Sequence, residues 1–147
     1  MPSNASSSCS PARSVCPIAN ALDLLGDKWT LLVVRDLLLF DKRRFGEFLS
    51  SQEGIPTNIL TDRLRRLEEC GIVTKVAYQS RPPRHEYHLT AKGADLLPVL
   101  RTLVDWANRH IPGAAKPPPG FLEKAEEAVR SIRDTATPDG RHGSGRE

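Results

Sequence analysis

The chain has 147 residues, of which 39% are hydrophobic, 27% charged and 5% aromatic, with a formal net charge of +3. That length suits one compact domain with tails and is short for two. The mild basic excess permits a polyanionic partner without demanding one, and no run of about 18 apolar residues offers a transmembrane helix.

The opening MPSNASSSCSPARSV is rich in Ser, Pro and Ala. It lacks the basic start and apolar middle of a signal peptide, so a cytoplasmic location is the default. Residues 1–15 read as a disordered N-terminal arm. Cys9, Cys16 and Cys70 are an odd count and form no disulfide framework. In a reducing compartment they are expected as free thiols.

The main domain is expected over 16–113. Pro17 suits the first turn of a helix carrying Ile18, Ala21, Leu22 and Leu25, which Gly26 ends. Asp27 is placed to cap a second helix from Lys28 to about Phe40, apolar on most sides and so central. Phe45, Phe48 and Leu49 mark a short third helix after Arg43-Arg44, followed by a turn at Gln52-Glu53-Gly54.

The segment IPTNILTDRLRRLEECGIV predicts a helix over 56–70 that begins at Pro56 and stops at Gly71. With Leu60, Leu64 and Leu67 inward, a rotation of about 100° per residue sends Asn58, Thr61, Asp62, Arg65 and Glu69 outward. Val73–Gln79 and Arg84–Leu89 read as strands of a hairpin over 73–89, with Ser80-Arg81-Pro82-Pro83 between them. Thr90 can cap a last long helix to about His110, kinked at Pro98. Residues 114–147 read as a Pro-rich linker, a possible short helix near 121–134 and a disordered tail.

A short helix, a tight turn, a second helix and a two-stranded hairpin make a winged helix-turn-helix, mainly α with a small β wing. Six basic and three acidic residues lie between Pro56 and His85, an excess equal to that of the whole chain. Asn can bond adenine bidentately, Thr a base edge or thymine methyl, and Arg a guanine or phosphate. Arg-rich helices are also often plain solvated faces with pairs such as Arg65–Glu69. The helix, turn and basic hairpin together favour double-stranded DNA as partner.

No catalytic constellation is visible. His85 and His88 fall on opposite faces of a strand, the cysteine spacings fit no zinc pattern, and no phosphate-cradling Gly-rich loop or nucleophile elbow occurs. Neither an enzyme nor a metal or cofactor is therefore expected. A winged-helix protein-interaction module without sequence-specific DNA binding is the main rival, and RNA binding lacks stacking aromatics.

The stretches CPIANALDLLGDKWTLLVVRDLL, RRFGEFL, GIPTNILTDRLRRLEECGIV and RPPRHEYHLTAKGADLLPVL, in this order, resemble the HxlR-type branch of the MarR-like winged-helix regulators. The resemblance runs from Cys16 to about His110. It implies a bacterial homodimer on a pseudo-palindromic operator with half-sites about 34 Å apart, and a repressor is the regulator expected. Carried over by position, Thr57, Asn58, Thr61 and Arg65 would face the groove. Arg43, Arg44 and Arg63 would hold phosphates, and Arg81 and Arg84 would contact DNA from the wing.

The last long helix is too apolar for a small domain to bury, so Leu96, Val99, Leu100, Leu103 and Trp106 are assigned to a dimer interface shared with the N-terminal helix. Some relatives sense oxidants or quinones through a cysteine in the position of Cys16, which Cys9 could resolve within or between chains. Against this stand a packing role for Cys16 and an apolar small-molecule effector lodged between the dimer helices and the DNA-binding lobes. Cys70 is expected to be packing.

Overall fold

A computed structural model describes Cys9 and residues 13–136. The disorder expected for most of the arm and for the extreme tail lies outside the described residues.

Helix α1 (Pro17–Leu25) starts on proline, with Cys16 as its N-cap, and buries none of its residues. Asp27 opens α2 (Thr30–Leu39) by accepting the Trp29 and Thr30 N–H groups at 3.0 and 3.2 Å. This is the capping predicted, with the first helical residue moved to Thr30. Val33, Val34, Leu37 and Leu38 make α2 the centre of the core. Its buried Asp36 accepts from Arg35 and from Ser51 and lies 3.5 Å from the Lys42 ammonium, so the charge is compensated inside.

The short α3 (Phe45–Leu49) inserts Phe48, and α4 (Thr57–Glu69) inserts Leu60, Leu64 and Leu67, each at most 1% exposed. Truncating such a leucine to alanine typically costs about 2–5 kcal/mol. Helix α4 ends in a Schellman arrangement: Gly71 N–H donates to Glu68 and Ile72 N–H to Leu67, with Gly71 at φ +74°. That left-handed backbone is why a glycine stands there.

Strands β1 (Val73–Ser80) and β2 (Pro83–Leu89) pair antiparallel from Val73↔Leu89 to Ser80↔Pro83, with a bulge between Ala77 and Gln79. The wing is fixed to the start of α3 by an Arg44↔Glu86 bridge and by the Tyr87 N–H donating to Arg43.

The long final helix is divided. Thr90 caps α5 (Ala91–Ala94), accepting from Gly93 N–H at 3.1 Å, and α6 (Leu97–His110) starts afresh. Pro98 has no N–H to donate to Ala94, so the expected kink becomes a break at Asp95–Leu96. After the proline-rich stretch, α7 (Phe121–Ala136) returns to the core with Ala125 and Val129 buried, packing on α2, α5 and α6. An Arg133–Asp95 ion pair at 2.5 Å joins it to the break.

The expectation of three free thiols is corrected. Cys9 and Cys70 form a disulfide across a sequence separation of 61, and Cys16 is the free, exposed cysteine among the described residues. While that bond is closed, Cys9 is not available to resolve Cys16. Cys70 is buried, as a packing residue would be, but its sulfur is bonded.

Candidate nucleic-acid interface

Helix α4 sorts its side chains by angle. Leu60, Leu64 and Leu67 turn into the core, and Thr57, Asn58, Thr61 and Arg65 stand exposed on the other side. Thr61 Oγ1 donates to the Thr57 carbonyl at 2.9 Å, which settles its rotamer against the helix. Arg65 lies between Asp62 at 2.8 Å and Glu69 at 2.9 Å, one turn to either side. The Arg65 hydrogen bond, aided by Arg63 and opposed by burial, holds the Asp62 carboxyl below the usual range. Asp62 thus orients two arginines, which accounts for an acid amid the outward polar set.

Of the three arginines expected to hold phosphates, two turn inward. The Arg63 side chain is 17% exposed, with Nε 2.8 Å from Asp27 and an ion pair to Asp62. Burial pushes the Asp27 carboxyl up, but hydrogen bonds from Thr30, Arg63 and the Trp29 N–H outweigh it and hold the group at about 2. Arg63 is a clamp between α4 and the head of α2. Arg43 donates to the Leu37 and Lys42 carbonyls at 2.9 and 2.8 Å and pairs with Asp41, so it caps the end of α2. Its guanidinium reaches one carbonyl of the last turn of α2, that of Leu37, and one of the following loop, that of Lys42.

Arg44 keeps to the surface. Its guanidinium lies 4.1 Å from the Tyr78 ring centroid and 3.3 Å from Glu86. Arg81 and Arg84 are exposed at the wing tip, with no side-chain ion pair among the described residues. Between α3 and the wing runs a groove of about 520 Å³ whose lining includes Arg44, Lys75, Tyr78, Arg84 and His85. Tyr78, Lys75 and Glu86 were not among the site residues read from the sequence. The bulge beside Tyr78 that accompanies its place under Arg44 leaves no mark in strand alternation.

The arrangement offers amide and hydroxyl hydrogen-bonding groups on an exposed helix, with exposed cations on one flank. Among the described residues no cluster of His, Cys, Asp and Glu is suited to a metal, and no helix is long and apolar enough to cross a membrane.

The residues assigned to a dimer interface separate into two sets. Leu100 is 7% exposed and belongs to the chain's own core, because it shares the inward side of α6 with Leu97. Val99, Leu103 and Trp106 are 41, 49 and 57% exposed, and Leu96 is half-buried at the head of the same stripe.

Comparison with known proteins agrees with this architecture. The HTH-type transcriptional regulator Rv3095 of Mycobacterium tuberculosis (strain ATCC 25618 / H37Rv) is 43% identical over 101 residues, covering 69% of this chain and 63% of that relative's length. The crystal structure of PA1607 matches at TM-score 0.62 with 38% identity, over 71% of this chain and 73% of that one. The redox regulator HypR in its oxidized form matches at TM-score 0.56 with 34% identity, over 65% of this chain and 97% of that one. A family model described as HxlR-like helix-turn-helix matches residues 24–114, and the chain belongs to that family.

Proposed function

We propose that the protein is a cytoplasmic, homodimeric, DNA-binding transcriptional repressor. It reads a pseudo-palindromic operator with α4 in the major groove and the β1–β2 hairpin as wing. The observation that carries this reading is the exposed row Thr57, Asn58, Thr61 and Arg65, flanked by Arg44 and the basic wing tip with Arg81 and Arg84. Bound DNA would draw Arg65 from its carboxylate neighbours to a base edge, where a bidentate contact discriminates. Arg44, Arg81 and Arg84 would neutralise phosphates or enter the minor groove.

The homodimer is supported by an α1 that packs only partly on its own chain, through Leu24, while exposing Ile18 and Leu22, and by the Val99, Leu103 and Trp106 stripe of α6. Joining these faces across a two-fold axis covers both. Release from DNA would follow oxidant or electrophile attack at the exposed Cys16 thiol, or binding of a small apolar effector.

Fluorescence anisotropy with DNA upstream of the gene, followed by operator selection, tests the reading. Specific, salt-sensitive binding is expected, and Arg65→Ala should weaken it roughly 5- to 150-fold and relax preference at one base position. Failure of operator selection would favour a protein-docking winged helix. An intact, fully specific Arg65→Ala protein would remove that side chain from base readout.

A further inference from the structure

The Cys9–Cys70 bond lies away from the exposed side-chain row of α4, and both of its ends are placed to matter. Cys70 is the C-cap of α4, 4% exposed, and its carbonyl accepts from Lys92 at 2.6 Å. Cys9 comes from the segment that leads into α1 and packs, half-buried, against the core. The same segment is held once more by Arg13, whose ion pair with Asp23 of α1 is exposed. Exposed pairs of this kind contribute little. Arg66 donates to the Asp23 carbonyl at 3.3 Å, so α1 and α4 already touch.

We propose that Cys9 and Cys70 form a reversible redox modification site, separate from Cys16, that staples the N-terminal segment and α1 to the end of α4. A disulfide in a protein of a reducing compartment is characteristically transient and sensing. Here opening it frees a terminal segment and leaves the leucine core of α4 in place. The oxidant class is a low-molecular-weight disulfide. The Cys9 thiolate, on the more accessible segment, attacks one sulfur of glutathione disulfide and expels one glutathione thiolate. The Cys70 thiolate then attacks Cys9 Sγ and expels the second, and both leaving thiolates take up a proton. Two protein thiols lose two electrons and one glutathione disulfide becomes two glutathiones. The effect on DNA rests on the function proposed above: the staple fixes α4 against α1, so the oxidised form binds its operator more tightly.

The test equilibrates the reduced full chain with glutathione and glutathione disulfide, quenches in acid, alkylates and reads intact mass and linked peptides. One alkylated cysteine, Cys16, is expected in the oxidised form and three in the reduced form, with Cys9 and Cys70 peptides joined. Cys16→Ser should keep the bond, and Cys9→Ser or Cys70→Ser should lose it. Cys9→Ser guards against a folding defect of the buried Cys70→Ser. Bonds that instead involve Cys16, or stable mixed glutathione adducts at Cys9, would overturn the site. Operator affinity should rise at least threefold on oxidation in Cys16→Ser, where release through Cys16 is absent, and not when Cys9→Ser is added to it. A bond that forms without changing affinity would overturn the coupling. Absence of operator binding in both redox forms would instead refute the DNA-binding reading, while the mass data still decide the thiol pair.

Discussion

Replacing Arg63 by methionine separates a structural clamp from a phosphate contact. Methionine keeps an unbranched apolar stem and removes the guanidinium. The partner, Asp27, is held at about 2 against an ordinary 3.8. At about 1.4 kcal/mol per unit, the full shift corresponds to about 2.5 kcal/mol. The Asp27 side chain is 25% exposed, and the Thr30 hydroxyl and Trp29 N–H remain after the substitution. Solvent screening and these surviving donors reduce the expected loss to about 1–2 kcal/mol. Because the folded value is depressed, this stabilisation is complete above the unfolded value of 3.8 and fades as pH falls toward about 2. Urea denaturation followed by circular dichroism should show a lower midpoint for Arg63→Met at neutral pH and a narrowing gap through that acid window. A double-mutant cycle with Asp27→Asn should give coupling of about 1 kcal/mol. The salt slope of DNA binding should not change. An unaltered midpoint together with a slope reduced by about one would refute the clamp and return Arg63 to the phosphates.

Three further outcomes are expected. Arg84→Ala should lower the salt slope of operator binding by about one unit, and an unaltered slope would place that side chain off the DNA. Gly93→Ala should destabilise the fold by about 1–3 kcal/mol in thermal unfolding, since no rotamer relieves a crowded backbone. A Cβ there would stand 2.3 Å from the Ile72 carbonyl oxygen and 2.7 Å from Leu89 Cδ2; a neutral result would mean that the turn between Ile72 and α5 gives way easily. Leu103→Asp should yield a folded monomer in sedimentation velocity, because Leu103 is half exposed within the chain, and a persisting dimer would move the interface off α6.

Much of the fold was legible because apolar spacing carries it. Leu60, Leu64 and Leu67 announce the inner side of α4, Gly71 its end, and Asp27 the head of α2. Other features depended on contacts distant in sequence. Cys9 and Cys70 are 61 residues apart, and an odd cysteine count conceals which two will meet. The division of α5 from α6 was half visible: Pro98 signalled a disturbance, but the missing N–H alone does not tell a kink from a fresh start. The exposed stripe of α6 was misjudged by one residue, Leu100, because Leu97 and Leu100 share the side that α7 and α2 cover.

The arginines carry the more general point. On the α4 wheel Arg63 lies about 60° from Leu60 and Arg65 about 140° from it. One is therefore a flank residue beside the core, and the other faces solvent. Counting charge treated them alike, although only the angle decides which can reach a ligand. The sequence contains that angle, but it does not contain the acceptor: Asp27 is 36 residues from Arg63, and its position depends on how α2 crosses α4. Arg43 follows the same logic, since the Leu37 carbonyl in the last turn of α2 and the Lys42 carbonyl beyond it take its guanidinium before any external anion can. A basic surface is thus what remains after the fold has satisfied its own acceptors. By that measure Arg65, Lys75, Arg81 and Arg84, with Arg44 beside Glu86, are the cations that the proposed function would use on DNA, and Arg65 differs from the wing pair in needing to leave Asp62 and Glu69 first. That exchange opposes nonspecific phosphate binding more than a bidentate base contact, so these two acids should sharpen sequence discrimination while lowering total affinity.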